Sequence, residues 1–219
     1  MSARSSLRSG ALLAAALAAC KATPKPPEAD PAAIKALAQS MTKNVPAPQA
    51  ARPCQPADYA NIPTLTFITL LHLAKQPVKD DPQHADWINP AGLESQAFHD
   101  VTSTTADETT RRRAAAQLLA APGWLVYKVD MVNAPMAIGV KELKIGTIGA
   151  RAIRFDKRGL PVCVEVFYFQ NDQQKSDYAI SKSDRAVIDP ELAKMLREDL
   201  AQQYLTHAPK APAAAPATK

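Results

Sequence analysis

The chain has 219 residues, 47% of them apolar and 21% charged, with 26 Lys and Arg against 21 Asp and Glu for a net charge of +5. That composition excludes a wholly disordered chain and supplies one domain with a core, or a domain plus tails. Gly-x-Ser-x-Gly, His-Glu-x-x-His, Cys-x-x-Cys and a phosphate-cradling glycine loop are all missing from the sequence, which disfavours the enzyme classes built on them.

Arg4 and Arg8 form a basic head, residues 10–19 are small and apolar, and the run closes on Leu17-Ala18-Ala19-Cys20. Such a run falls well short of the ~20 residues that span a bilayer, so it reads as a secretory address. The four-residue ending resembles the lipobox of bacterial lipoproteins. Across these twenty residues, the resemblance implies that Cys20 is diacylated, that residues 1–19 are removed, and that the new amine is acylated. Several acyl chains would hold the protein firmly in a membrane, where one binds only marginally. Lys21 stands where an aspartate commonly retains such proteins at the inner membrane, which implies the outer membrane and its periplasmic face. A plain cleaved signal peptide is the alternative. Residues 20–219 carry 24 Lys and Arg against 21 acids, a net +3 that suits anionic lipid and ordinary solubility alike. Nucleic acid is not an expected partner in that compartment.

Residues 20–55 are rich in Pro, Ala and Lys and read as a lipidated tether. One short helix interrupts it: Asp30-Pro31 supplies a cap and a first-turn proline, with Ile34, Leu37, Ala38 and Met41 on one face. It docks on the domain, lies on the membrane or frays, since a helix this short is marginal alone. A single α+β domain is expected over 56–207. Tyr59–Gln76 is the most apolar stretch and reads as a buried helix capped by Thr64, with a strand as the alternative. His72 within it reads as a core or interface residue. Pro77–Gly92 is a polar loop, a short helix follows near Leu93–His99, and Thr105 with Glu108 forms a capping box for a helix that Pro122-Gly123 stops.

The second half is rich in β-formers. Trp124–Val132, Lys141–Ile145, Ala150–Phe155 and Leu160–Phe169 predict an antiparallel sheet of about four strands with helices packed on it. Both faces of the last strand are largely apolar, so it is expected to be covered on both sides. Asp189-Pro190 opens a helix to about Leu205, buried along Leu192, Met195, Leu196, Leu200 and Tyr204. Residues 208–219 read as a disordered tail.

With Cys20 taken by lipid, Cys54 and Cys163 are left as a candidate disulfide in an oxidising compartment, the alternative being two buried thiols. The weak catalytic candidates are His84, Asp86, His99 and Asp100, residue types that serve a general base or a divalent metal. His84-x-Asp86 is too close in sequence to reach one ion easily, so a solvated acidic loop is expected and no metal or cofactor is assigned. Arg111, Arg112 and Arg113 fan over ~200° of a helix. Asp107 and Glu108 are positioned to pair with Arg111 and Arg112, and the run is a candidate site for lipid phosphate or an acidic partner.

These features predict an outer-membrane-anchored, non-catalytic lipoprotein that binds an envelope protein or component, in an accessory or inhibitory role. The alternatives are a cell-envelope hydrolase or metal-dependent enzyme, and a carrier of a small apolar ligand.

Overall fold

A computed structural model describes residues 26–77, 93–139, 142–172 and 190–208. Its frame is a hairpin of two ten-residue strands, Thr147–Asp156 and Pro161–Gln170, in which Arg154 sits opposite Cys163. Asp156 shapes the turn: its Oδ1 accepts the backbone N–H groups of Arg158 at 2.8 Å and Leu160 at 2.9 Å. In chain order the strands are β1 (Thr64–Thr66), β2 (Gly123–Asn133), β3 (Met136–Gly139), β4 (Glu142–Lys144), β5 (Thr147–Asp156) and β6 (Pro161–Gln170). The helices are α1 (Pro31–Lys43), α2 (Phe67–Leu73), α3 (Gln96–Thr102), α4 (Glu108–Ala120) and α5 (Pro190–His207).

The main sheet runs β1-β2-β5-β6, and β3 with β4 forms a separate ribbon. β2–β5 and β5–β6 are antiparallel, as expected for this α+β chain, whereas β1 joins the edge parallel to β2 with Leu65 opposite Val126. Side-chain alternation divides two cores between the two faces. Trp124, Val126, Ile153, Phe155 and Val164 meet α1–α4 through Ile34, Met41, Leu70, Phe98 and Leu118. Leu125, Tyr127, Ile148, Ala150 and Ala152 meet Tyr59, Ile62, Leu200 and Tyr204 on the other face. Trp124 is pinned by its Nε1–H, which donates to the Leu118 carbonyl at 3.1 Å, and by the edge of the Phe98 ring 5.0 Å away.

Several expectations are corrected, among them the covered last strand: β6 lies at the edge of the sheet, with Val166 and Tyr168 exposed on one face. The apolar run 59–76 is not one helix: a 3-10 turn at Pro56–Tyr59, strand β1 and helix α2 divide it. Thr66, not Thr64, caps α2 and accepts from the Thr69 N–H at 3.2 Å, because Thr64 is already opposite Leu125 in the sheet. Asp107, not Thr105, caps α4, with its carboxylate accepting the Thr110 N–H at 2.7 Å; carboxylate caps outrank threonine. The last concerns the boundary at 56. Ile34, Ala38 and Met41 of α1 are buried against the sheet, and Ala29 N–H donates to the Arg112 carbonyl at 3.1 Å, so the folded unit reaches back into the segment read as a tether. Of the three states expected for α1, docking on the domain is the one observed.

Candidate functional site

Where α1, α2, the end of α3 and α4 meet, they leave a groove of about 570 Å³. Pro31, Ala32, Ile34 and Lys35 form one wall, His72, Leu73 and Lys75 a second, and Val101–Thr104 with Arg111 the rest. Its floor is apolar and its rim cationic. Lys35, His72 and Lys75 are exposed, while Arg111 is half-buried. Among the described residues none of the lining side chains is acidic.

Local structure explains how these cations come together. Lys35 follows Ile34 on α1, so burying Ile34 swings Lys35 to the groove side. α2 ends at Leu73, and Lys75 just beyond has a φ of +56°, a left-handed conformation usually left to glycine or asparagine. Its N–H donates to the His72 carbonyl at 3.0 Å. Arg111 lies one turn into α4, where its Nη2 is 3.2 Å from Glu108. Its Nε is buried with no hydrogen-bond partner among the described residues.

The residues singled out by sequence are dispersed. Cys20, His84 and Asp86 lie outside the described residues. His99 and Asp100 are neighbours on α3, about 100° apart around its axis, and each is engaged separately. The His99 imidazole is 3.9 Å from Glu94 Oε2, and Asp100 accepts from Gln96 Nε2 at 2.8 Å. Glu94 in turn fastens the start of α2, accepting from Thr66 N–H and from the Thr66 and Thr69 hydroxyls. The expected Asp107–Arg111 pair gives way to the Asp107 cap, and Glu108 instead serves both Arg111 and Arg112, the latter at 2.9 Å. Only Arg111 of the three arginines lines the groove; Arg112 and Arg113 are exposed outside it. His72 is exposed on the groove wall and not in the core, because Leu70 takes the buried face of this short helix.

Cys54 and Cys163 form a disulfide, with Cα atoms 5.0 Å apart and a sequence separation of 109. The bridge holds the 52–54 segment along β6, where Val164 N–H donates to the Arg52 carbonyl at 3.0 Å. Asp58 lies close to both sulfurs, yet the three do not make a metal centre. The sulfurs are spent on each other, and the carboxylate accepts from Arg52 at 2.7 and 2.8 Å, Arg154 at 2.6 Å and Gln55 N–H at 2.8 Å. The Arg52 hydrogen bonds, aided by Gln55 and Arg154 and opposed by burial, hold Asp58 far below the usual carboxylate range. Nearby, the Tyr59 hydroxyl donates to Glu165.

Sequence reasoning reached Arg111 and missed Lys35 and Lys75, because nothing in isolated lysines marks a groove that four helices close. No protein-family model matches the chain, nor does any curated protein or any solved structure compared with it. Among the described residues no helix is long and apolar enough to cross a membrane.

Proposed function

We propose that the chain is a lipid-anchored, non-catalytic binding protein of the outer membrane, facing the periplasm, whose head engages an envelope component through the groove between α1, α2 and α4. The observation that carries this reading is where the chain enters the fold. The segment leading from Cys20 runs past Arg112 at Ala29 and then becomes the groove wall at Pro31, Ala32 and Lys35. Anchor and binding surface are therefore close in sequence, with ten residues between Cys20 and Pro31, and tethering raises the local concentration of the head for anything at the membrane surface. The separate engagements of His99 and Asp100 lend no support to the hydrolase alternative. The filled sheet faces around Trp124 and Tyr204 lend none to an apolar carrier.

The test is crosslinking in cells followed by capture of the tagged, membrane-extracted protein. A specific envelope component held at near-stoichiometric yield, and lost on Lys35→Glu with Lys75→Glu, is the expected result; an unchanged yield in that variant would remove the groove from the reading. Cys20→Ala should release the chain from membranes, and firm attachment of that variant would overturn the anchoring.

A further inference from the structure

We infer that the groove takes the phosphate groups of anionic lipid in the leaflet that holds the anchor, so that the head lies against its own membrane. The inference rests on the reading above and names its ligand class. Three observations converge on it.

The first is charge. Lys35, Lys75 and Arg111 face one space without an opposing lining carboxylate among the described residues, and Glu108, the acid paired with Arg111, is shared with Arg112. The second is the state of two of these side chains. Arg111 keeps a buried Nε–H without an acceptor among the described residues, and its half-buried guanidinium would satisfy that donor by turning it to a phosphate oxygen in a charge-assisted bond. Lys75 holds a left-handed backbone that a residue with a Cβ adopts only at a cost, and it stands there on the groove wall. The third is reach. Ten residues separate Cys20 from Pro31, so even fully extended they place the groove within ~40 Å of the acylated cysteine. Contact at a screening length of ~8 Å is well inside that limit. Apolar lining from Ile34, Leu73 and Val101 suits the glycerol and upper acyl portion below a headgroup phosphate.

Each cation near an anionic surface contributes about fivefold in affinity. The full-length chain carrying Cys20→Ala is floated with vesicles of phosphatidylcholine alone and of phosphatidylcholine mixed with phosphatidylglycerol. The ratio of the two bound fractions is the readout, and it is compared between variants that all carry residues 1–19, so that the anionic preference of Arg4 and Arg8 is common to them. We expect a preference for the anionic vesicles that falls about tenfold or more in Lys35→Glu with Lys75→Glu and persists in Lys157→Glu with Lys194→Glu. Those control lysines are exposed and outside the groove. Both pairs lie on the surface, so neither depends on a refolded core. An equal loss in both pairs would reduce the effect to net charge and overturn the inference. Inorganic phosphate at matched ionic strength is the second arm. Perturbation of the His72 imidazole resonances by phosphate, without any vesicle preference, would assign the groove to a free anion and also overturn it. Capture of an envelope protein through the groove with no vesicle preference would sink this inference and leave the proposed function standing.

Discussion

Cys54 is bonded to Cys163 across 109 residues of chain, and the bond fixes the segment ahead of β1 to the edge strand β6. Joining points so distant in sequence removes much of the unfolded chain's freedom, by ~4–5 kcal/mol in the chain-entropy account, which is an upper figure. Cys54→Ser with Cys163→Ser should therefore lower the urea midpoint and steepen the slope, because the uncrosslinked denatured chain exposes more surface. Reduction of the native protein should produce the same midpoint as the double variant. Two titratable thiols in the unreduced, unfolded protein would show that the bridge does not form.

Asp58 next to the bridge predicts how stability depends on pH. Its carboxyl is held below the usual range by Arg52 first, with help from Gln55 and Arg154. The unfolded state thus binds its proton more readily. The stabilisation is complete above the unfolded carboxylate value of ~3.9 and is lost as pH falls from there towards the lower folded value. Asp130, between Arg151 and Lys128, and Asp156 shift the same way despite burial. Asp58→Asn should cost about 2–3 kcal/mol at neutral pH and flatten the acid limb of the stability profile. Urea titrations from neutral to acid pH measure both, and an acid limb as steep as that of the parent would place the coupling elsewhere.

Much of the sheet was legible because its signals are local. The Lys157-Arg158-Gly159 turn sits between alternating runs, and Thr147–Asp156 and Pro161–Gln170 pair across it. The cysteine pairing was legible by a count of three once Cys20 was set aside. Residues 59–76 were not, because Leu65, Ile68 and Leu70 look alike in a strand and a helix, and only the neighbouring β2 decides that Thr64–Thr66 extends. The docking of α1 was open for a related reason: its partners, Arg158 and Gly159, lie more than a hundred residues away. The groove was the least legible, since it depends on the left-handed turn at Lys75 and on four helical segments meeting.

Gly159 is where that docking is most sensitive. Its φ of +78° is strained for any residue with a Cβ, and such an atom would lie 2.8 Å from Ser40 Oγ and 3.1 Å from the Met41 nitrogen. Ser40 Oγ donates to the Arg158 carbonyl at 3.0 Å, and Asn44 Nδ2 donates to the Gly159 carbonyl at 3.2 Å. Gly159→Ala should destabilise by about 2 kcal/mol from the backbone and the contact together. Hydrogen exchange should quicken in α1 before it does in β2. Uniform loss of protection would mean that α1 and the sheet unfold as one unit.

Three buried tyrosines on the α5 side of the sheet predict opposite signs for the same chemical change. Burial pushes the phenols of Tyr59, Tyr127 and Tyr204 well above the ordinary tyrosine range, and for Tyr59 the bond to Glu165 adds to it. Tyr59 donates to Glu165, whereas the hydroxyls of Tyr127 and Tyr204 have no hydrogen-bond partner among the described residues. A desolvated, unpaired hydroxyl opposes folding, and removing it relieves that penalty. Tyr204→Phe and Tyr127→Phe should leave stability unchanged or raise it by up to about 1 kcal/mol, with the ring packing of Tyr204 on Phe167 and Phe169 retained. Tyr59→Phe strips a donor from a carboxylate and should cost about 1–2 kcal/mol. Urea midpoints for the three variants test the signs side by side. A loss on Tyr204→Phe as large as that on Tyr59→Phe would mean that the Tyr204 hydroxyl has an acceptor in solution.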